Sequence, residues 1–209
     1  MNLSETLKFF TKLPLVVKQA LEFAENAHQG QLRKDGKTPY IMHPIGCLSI
    51  AIDSPWHFSD EELAALCLHD VLEDTKATFE RIYGLFGADI AGIVYLLSKP
   101  DSENFRRKIY MASLRRVAPS VIALKLIDML HNLIDLPKTA IIYEKYTDPA
   151  QGVRREQEDF DEYFRAKVTE DTPMLIGVLR MHGDVWSNYA NWIETRIRRE
   201  LEKGLVVTE

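Results

Sequence analysis

Residues 121–136, which read VIALKLIDMLHNLIDL, are the strongest guide to the fold of this chain. The segment is apolar on nearly every side, which is typical of a helix buried among other helices. Its polar exceptions are spaced by three, three, one and three residues and so share one face; they are Lys125, Asp128, His131, Asn132 and Asp135. Burying a carboxylate without a partner costs several kcal/mol. Asp128 therefore needs a cation, a base or water beside it.

Apolar residues recur at helical spacing along most of the 209 residues, so the sequence predicts an all-α fold. A first long helix is predicted to stop near Gly30 and to bury a face that carries Val17, Ala20, Leu21, Ala24 and His28. Two short helices are expected at 78–86 and 90–97, on either side of Gly87. One long terminal helix is expected at 172–203.

Three titratable residues lie at predicted helix ends. A helix is predicted to begin at His43, directly followed by a proline that suits the first helical turn. Ser59 and Glu62 form a capping box that opens another helix, and its carboxyl-terminal half holds His69 and Asp70.

Together with Asp128, these residues supply the mixture of imidazole nitrogens and carboxylate oxygens that divalent cations prefer. Adjacent residues on a helix point about 100° apart, so His69 and Asp70 can reach one ion only from a shaped cleft. The spacing alone also fits an incidental His-Asp pair and a His43 that merely caps its helix.

Composition limits the class of protein. With 46% hydrophobic and 27% charged residues, the chain is expected to form one domain over 1–209, including a helical tail at 150–209. No apolar run approaches the roughly 20 residues of a membrane span, and the first residues lack the pattern of a secretion signal; we expect a cytoplasmic protein that does not enter membranes.

A net charge of −5 disfavours binding to extended nucleic acid, although a local basic cluster could hold a nucleotide. Cys47 and Cys67 are expected to be buried, reduced thiols.

Several segments, in order and in spacing, resemble the HD hydrolase domain of RelA/SpoT-type enzymes, including their small stand-alone homologues. The resemblance covers residues 17–136 most strongly and reaches the tail only through residues 162–164. The matching segments are AHQGQLRKDG at 27–36, PYIMHP at 39–44, LHDVLEDT at 68–75, Phe86-Gly87 and KLIDMLHNL at 125–133.

The resemblance implies a helical bundle with a metal site in a central cleft. One divalent ion, typically manganese in this family, would be bound by His43, His69, Asp70 and Asp128. Glu73 and Asp74 match the family's acidic pair, which would orient or deprotonate the attacking water and shuttle its proton. Without the resemblance, this pair would be interpreted as solvated acids at a helix end.

The resemblance also implies the nucleotide contacts. Arg33 and Lys34 match a basic pair, of which one residue stacks on the base and the other holds phosphate. Asn132 matches a residue that reads the base edge, and Tyr163 would line the sugar or phosphate side.

Two positions depart from the family pattern. Ile134 stands where the family commonly has arginine, which leaves the choice between guanine and adenine open. Asp159 stands where a basic residue is expected, and Arg154 or Arg155 could replace that contact.

The implied activity is metal-dependent hydrolysis of the 3′-pyrophosphate of (p)ppGpp or of a related alarmone such as ppApp. The chain is expected to lack the synthetase and regulatory domains of the long family members. Two alternatives remain: an HD phosphohydrolase for another nucleotide phosphate, such as the 2′-phosphate of NADPH or a nucleoside monophosphate, and a non-catalytic module that senses nucleotides. A purely structural helical adaptor would leave the buried Asp128 unexplained.

Overall fold

The computed structural model describes residues 11–98, 104–146 and 170–205. Within these ranges the regular structure is helical, apart from an isolated antiparallel bridge between Leu32 and Pro39, and the predicted all-α fold is confirmed. The α-helices are α1 (Leu15–Ala27), α2 (Met42–Ile52), α3 (Asp60–Leu68), α4 (Val71–Asp74), α5 (Phe79–Leu97), α6 (Asn104–Ser113), α7 (Pro119–Tyr146), α8 (Thr172–Arg180) and α9 (Asp184–Leu205), and a 3₁₀-helix spans Leu114–Arg116.

Helix α7 forms the centre of the bundle. Its residues 121–130 are all buried, and it packs against α2, α3, α5, α8 and α9. The sequence places its end near residue 136, but the helix continues to Tyr146. Because α7 is covered on several sides, its polar stripe faces the interior between α2 and α3.

The predicted helix starts are largely confirmed. Ser59 caps α3 as expected: its hydroxyl accepts from the Glu62 amide at 3.2 Å, and the Glu62 carboxylate accepts from the Ser59 amide at 2.8 Å. Helix α2 begins at Met42, one residue earlier than predicted, so Pro44 lies in its first turn. An amide there has no partner within the helix, and a proline loses nothing by lacking it.

One predicted boundary is confirmed and another is wrong. The expected break at Gly87 is confirmed, because the helical dihedral angles of α5 are interrupted there by a φ of 84° and a ψ of 177°. The prediction of a single terminal helix was wrong, because residues 181–183 separate α8 from α9 and Gly183 has a φ of 97°. A positive φ breaks a helix and suits glycine, yet the apolar face continues on both sides, so spacing alone did not show the break.

The expectation of buried, unpaired thiols is confirmed, since Cys47 and Cys67 are buried and free. Across the described ranges, no helix combines the length and the apolar character that crossing a membrane requires. The part of the predicted tail at 150–169 lies outside the described residues, as do Arg154, Arg155, Asp159 and Tyr163.

Candidate metal centre

Three elements bring the candidate metal ligands together. His43 lies in the first turn of α2, Asp128 lies in the middle of α7, and His69 and Asp70 form the junction between α3 and α4. The adjacent side chains of His69 and Asp70 reach the same point, since His69 Nε2 lies 3.2 Å from Asp70 Oδ2. His43 and His69 are each 1% exposed and Asp128 is 4% exposed.

Four side-chain atoms form a tight cluster. His43 Nε2 lies 3.2 Å from His69 Nε2, 3.2 Å from Asp128 Oδ1 and 3.5 Å from Asp70 Oδ2. His69 Nε2 lies 3.2 Å from Asp70 Oδ2 and 3.6 Å from Asp128 Oδ1. Ligands about 2.1 Å from a shared ion stand about 3.0–3.4 Å apart in octahedral or tetrahedral geometry. These five separations lie in or close to that range, so the geometry is compatible with one divalent ion bound by His43, His69, Asp70 and Asp128.

The electrostatics of the cluster also favour a cation. Burial works against a charge on His69, but the carboxylates of Asp70 and Asp128 outweigh it and raise the pKa of His69 to about 10. Burial likewise works against a charge on Asp70, but His69 and His43 hold the pKa of that carboxyl well below its usual range. Burial lowers the pKa of His43, so that ring stays neutral. The two carboxylates thus attract one positive charge, which a proton on His69 provides when no metal ion is bound.

Outer contacts orient both imidazoles. His69 donates its Nδ1 hydrogen to the Leu66 carbonyl, 2.7 Å away, so its Nε2 faces the cluster and can bind a cation once it has lost its proton. His43 Nδ1 lies 2.9 Å from His131 Nδ1. When His43 offers its Nε2 lone pair to a cation, the hydrogen is on Nδ1 and is donated to His131. Such outer partners set the tautomer and orientation of metal-binding histidines.

Asp128 is held in the same way. Lys125 Nζ lies 3.0 Å from Asp128 Oδ2 and also donates to the Leu97 carbonyl at 3.1 Å. The Asn132 amide donates to Asp128 Oδ1 at 2.6 Å. Burial works against the charge of Lys125, but Asp128 raises its pKa well above the usual value. The buried carboxylate therefore has the partners that its position in the polar stripe required.

A second cluster, formed by His43, Cys47 and His131, is a weaker metal candidate. The Cys47 sulfur lies 3.8 Å from His43 Nδ1 and 3.9 Å from His43 Nε2. An atom equidistant from both ring nitrogens lies in line with neither lone pair. Burial also raises the pKa of the Cys47 thiol well above its ordinary value. Cys47 is therefore interpreted as a packing residue.

The predicted acids lie at the edge of the cluster. Glu73 and Asp74 are exposed residues of the short helix α4. The Tyr40 hydroxyl lies 2.7 Å from Asp70 Oδ2 and 2.8 Å from Asp74 Oδ2. The charge of Glu73 is among the causes that raise the pKa of Lys125. Asp74 thus contacts Tyr40 at one edge of the cluster. Glu73 acts electrostatically on Lys125 of α7.

The predicted nucleotide contacts are partly assembled. Arg33 lies on a short hairpin whose turn contains Gly36, with a φ of 64°, and Asp35 Oδ1, which accepts from the Thr38 amide at 2.8 Å. The Arg33 guanidinium donates to Asp135 at 3.0 Å and to the Asn132 side-chain oxygen at 3.0 Å.

Lys34 is exposed on the same hairpin. Arg33 and Asn132 therefore meet beside the four-residue cluster, whereas Tyr163 lies outside the described residues.

Sequence reasoning did not assign roles to Tyr40, His131 and Asp135. His131 and Asp135 were visible in the polar stripe, and Tyr40 stands three residues before His43. Their contacts connect positions 30 to 102 residues apart in the chain. Spacing within one helix does not reveal such pairs.

Comparison with known proteins agrees with this geometry. A family model described as an HD domain matches residues 20–148. The match covers more than half of the chain, and the chain belongs to the HD-domain family.

Several curated proteins are similar to the chain. A Xenopus tropicalis protein named guanosine-3′,5′-bis(diphosphate) 3′-pyrophosphohydrolase MESH1 is 36% identical over 126 residues, covering 59% of this chain and 70% of that protein. The Danio rerio protein of the same name is 34% identical over 151 residues, covering 70% and 79%. A Spiroplasma citri guanosine-3′,5′-bis(diphosphate) 3′-pyrophosphohydrolase is 39% identical over 127 residues, covering 56% of this chain. The chain spans only 16% of the length of that bacterial relative.

A solved structure is also similar, with a TM-score of 0.57 and 26% identity, covering 81% of this chain and 97% of the other. It is described as a metazoan ortholog of SpoT that hydrolyzes ppGpp and plays a role in starvation responses.

Proposed function

We propose that the chain is a metal-dependent phosphohydrolase that removes the 3′-pyrophosphate from (p)ppGpp or a related alarmone such as ppApp. The observation that carries the proposal is a cluster in which two imidazole nitrogens lie 3.2 Å apart and each lies 3.2–3.6 Å from the same two carboxylate oxygens. The relatives that match this chain over most of their own length are named for that activity.

The proposed ion is held by the four residues of the cluster. A bound divalent ion polarises a phosphoryl group and lowers the pKa of water beside it. We propose Mn²⁺, since a set of two imidazoles and two carboxylates suits a first-row transition ion. The ligands are His43, His69, Asp70 and Asp128.

The remaining residues bind substrate and move protons. Water attacks the phosphorus bonded to the 3′-oxygen, that bond breaks, and the products are pyrophosphate and a nucleotide with a free 3′-hydroxyl. Asp74 or Glu73 accepts a proton from the attacking water, and the leaving 3′-oxygen takes up a proton. Arg33 and Lys34 bind the base and phosphates, Asn132 the base edge, and Tyr163 the sugar or phosphate side.

The free thiols Cys47 and Cys67 support a further proposal, a cytoplasmic location, because reducing compartments preserve free thiols.

Product analysis with a panel of substrates tests the proposal. Manganese-loaded protein is incubated with ppGpp, ppApp, NADPH and common nucleoside monophosphates, and the products are separated by chromatography. We expect pyrophosphate from ppGpp or ppApp, with activity lost on chelation and regained with Mn²⁺. Glu73→Gln and Asp74→Asn should retain the metal but lower turnover by roughly a hundredfold.

Other outcomes of the panel identify the alternatives. Release of phosphate from NADPH or a monophosphate alone would replace the proposed substrate. Tight nucleotide binding with no turnover of any substrate would favour the non-catalytic sensing module.

A further inference from the structure

The Tyr40 hydroxyl connects the four-residue cluster to Asp74, one of the proposed acids. Its oxygen lies 2.7 Å from Asp70 Oδ2, an atom of the cluster, and 2.8 Å from Asp74 Oδ2. Ionised carboxylates only accept hydrogen bonds, so the Tyr40 hydroxyl is the donor in both contacts. A neutral phenol between two carboxylates is a hydrogen-bond donor that both can use, one at a time.

The Tyr40 side chain is held in place by a continuous set of contacts with His28, Gln31 and Asp74. It stacks on the buried imidazole of His28, with centroids 4.3 Å apart and planes 13° apart. His28 Nδ1 lies 2.8 Å from Gln31 Oε1, and the Gln31 amide donates to the Asp74 carbonyl at 2.7 Å. The same three residues therefore fix both the backbone and the carboxylate of Asp74.

Asp74 depends on this support because of its position. It is an exposed residue at the end of α4, a helix of only four residues. An exposed carboxylate at a helix end samples several rotamers unless a partner selects one. Reactions that need a proton acceptor at one point lose rate when that acceptor moves, by as much as about a hundredfold for a displacement of about 1 Å.

We propose that Tyr40 is a positioning residue, which holds the Asp74 carboxylate beside Asp70 so that Asp74 faces the attacking water. This inference rests on the proposed function. The hydroxyl does the positioning, whereas the ring packs against His28 and lies 5.3 Å from the Arg33 guanidinium. The effects of the hydroxyl and of the ring can therefore be separated.

Tyr40→Phe removes the hydroxyl and keeps the ring. With ppGpp as substrate, kcat should fall about ten- to a hundredfold, while KM and the bound metal per chain should be unchanged. Tyr189→Phe is the matched control, since Tyr189 is a buried tyrosine in the core, 3.5 Å from the Ala123 carbonyl. We expect native kcat for this control. A native kcat in Tyr40→Phe, or a loss equal to that of the control, would overturn the proposal.

A double-mutant cycle shows whether Tyr40 acts through Asp74. The effects of mutations at interacting residues are not additive. The kcat of the double variant Tyr40→Phe with Asp74→Asn should therefore be no lower than that of Asp74→Asn alone. Tyr40→Phe with Glu73→Gln should show the product of the two losses. Multiplied losses in the Asp74 pair would contradict the assignment.

Crystal structures give a readout that does not depend on turnover. In manganese-loaded Tyr40→Phe, we expect the Asp74 carboxylate to leave its place beside Asp70 while the four cluster atoms move less than about 0.5 Å. An unmoved Asp74 overturns the positioning role. If native protein fails to hydrolyse ppGpp, the proposed function is lost, yet this comparison still decides the role of Tyr40.

Discussion

His131 is the residue on which the orientation of His43 depends. It is the partner 2.9 Å from His43 Nδ1, and it thereby directs Nε2 of His43 towards the cluster. In His131→Ala that partner is lost, and Mn²⁺ affinity should fall about tenfold to a hundredfold, as for other outer partners of metal-binding histidines.

Isothermal titration of Mn²⁺ measures this effect. His57→Ala is the control, because His57 is exposed in the segment between α2 and α3. Equal affinities in the two variants would show that His131 only packs.

His69 predicts a pH dependence of metal binding. The pKa of His69 is raised to about 10 in the ion-free protein, so between pH 6 and 9 a proton must leave before the nitrogen can bind an ion. Protons therefore compete with the ion, and affinity should rise about tenfold per pH unit over this range. Calorimetry in two buffers of different ionisation enthalpy should show about one proton released per ion. Binding without proton release would contradict the charge assignment.

Among the individual residues of the site, the sequence predicted some roles and missed others. The polar stripe on α7 correctly indicated that Asp128 needs partners, since only a helix buried on most sides makes its few polar residues conspicuous. It did not indicate Tyr40, whose partner Asp74 lies 34 residues away. That contact depends on how the hairpin before α2 lies against α4. The spacing within each segment carries no information about such packing.

Among the elements, the close approach of α2 to α7 depends on Gly46. A Cβ at Gly46 would lie 1.8 Å from His131 Nε2, far inside contact distance. Gly46→Ala should therefore displace His131 and lower Mn²⁺ affinity at least as much as His131→Ala does. Titration of the purified variant measures it.

Gly92→Ala in α5 is the matched control, because its Cβ meets no atom within 4 Å. It should keep native affinity and gain about 0.4–1 kcal/mol of stability, as alanine restricts the unfolded chain. Native Mn²⁺ affinity in Gly46→Ala would mean that the bundle adjusts without disturbing His43.

The elements also show where sequence reasoning succeeds. The capping box at Ser59 predicted the start of α3, because both of its hydrogen bonds are local. The break between α8 and α9 was missed, because the periodicity of buried residues resumes after Gly183. Local chemistry thus predicts a helix start better than apolar spacing predicts a helix end.

The charge of the whole molecule gives the proposed ion its importance. The chain carries a net charge of −5, and Asp70, Asp128, Asp74 and Asp135 lie around the site. A substrate with several phosphates would be repelled by these carboxylates, and the nearby Arg33 is already paired with Asp135. A divalent cation offsets this negative charge and attracts phosphate oxygens. Substrate binding should therefore require the ion.

The position of bond cleavage tests the central claim most directly. Manganese-loaded protein hydrolyses ppGpp in water enriched in ¹⁸O, and the products are analysed by mass spectrometry. We expect one ¹⁸O in the released pyrophosphate and none in the GDP, because water attacks phosphorus and the 3′-oxygen stays with the nucleoside. Release of labelled orthophosphate in place of pyrophosphate, or no release of either by the metal-loaded protein, would contradict the account.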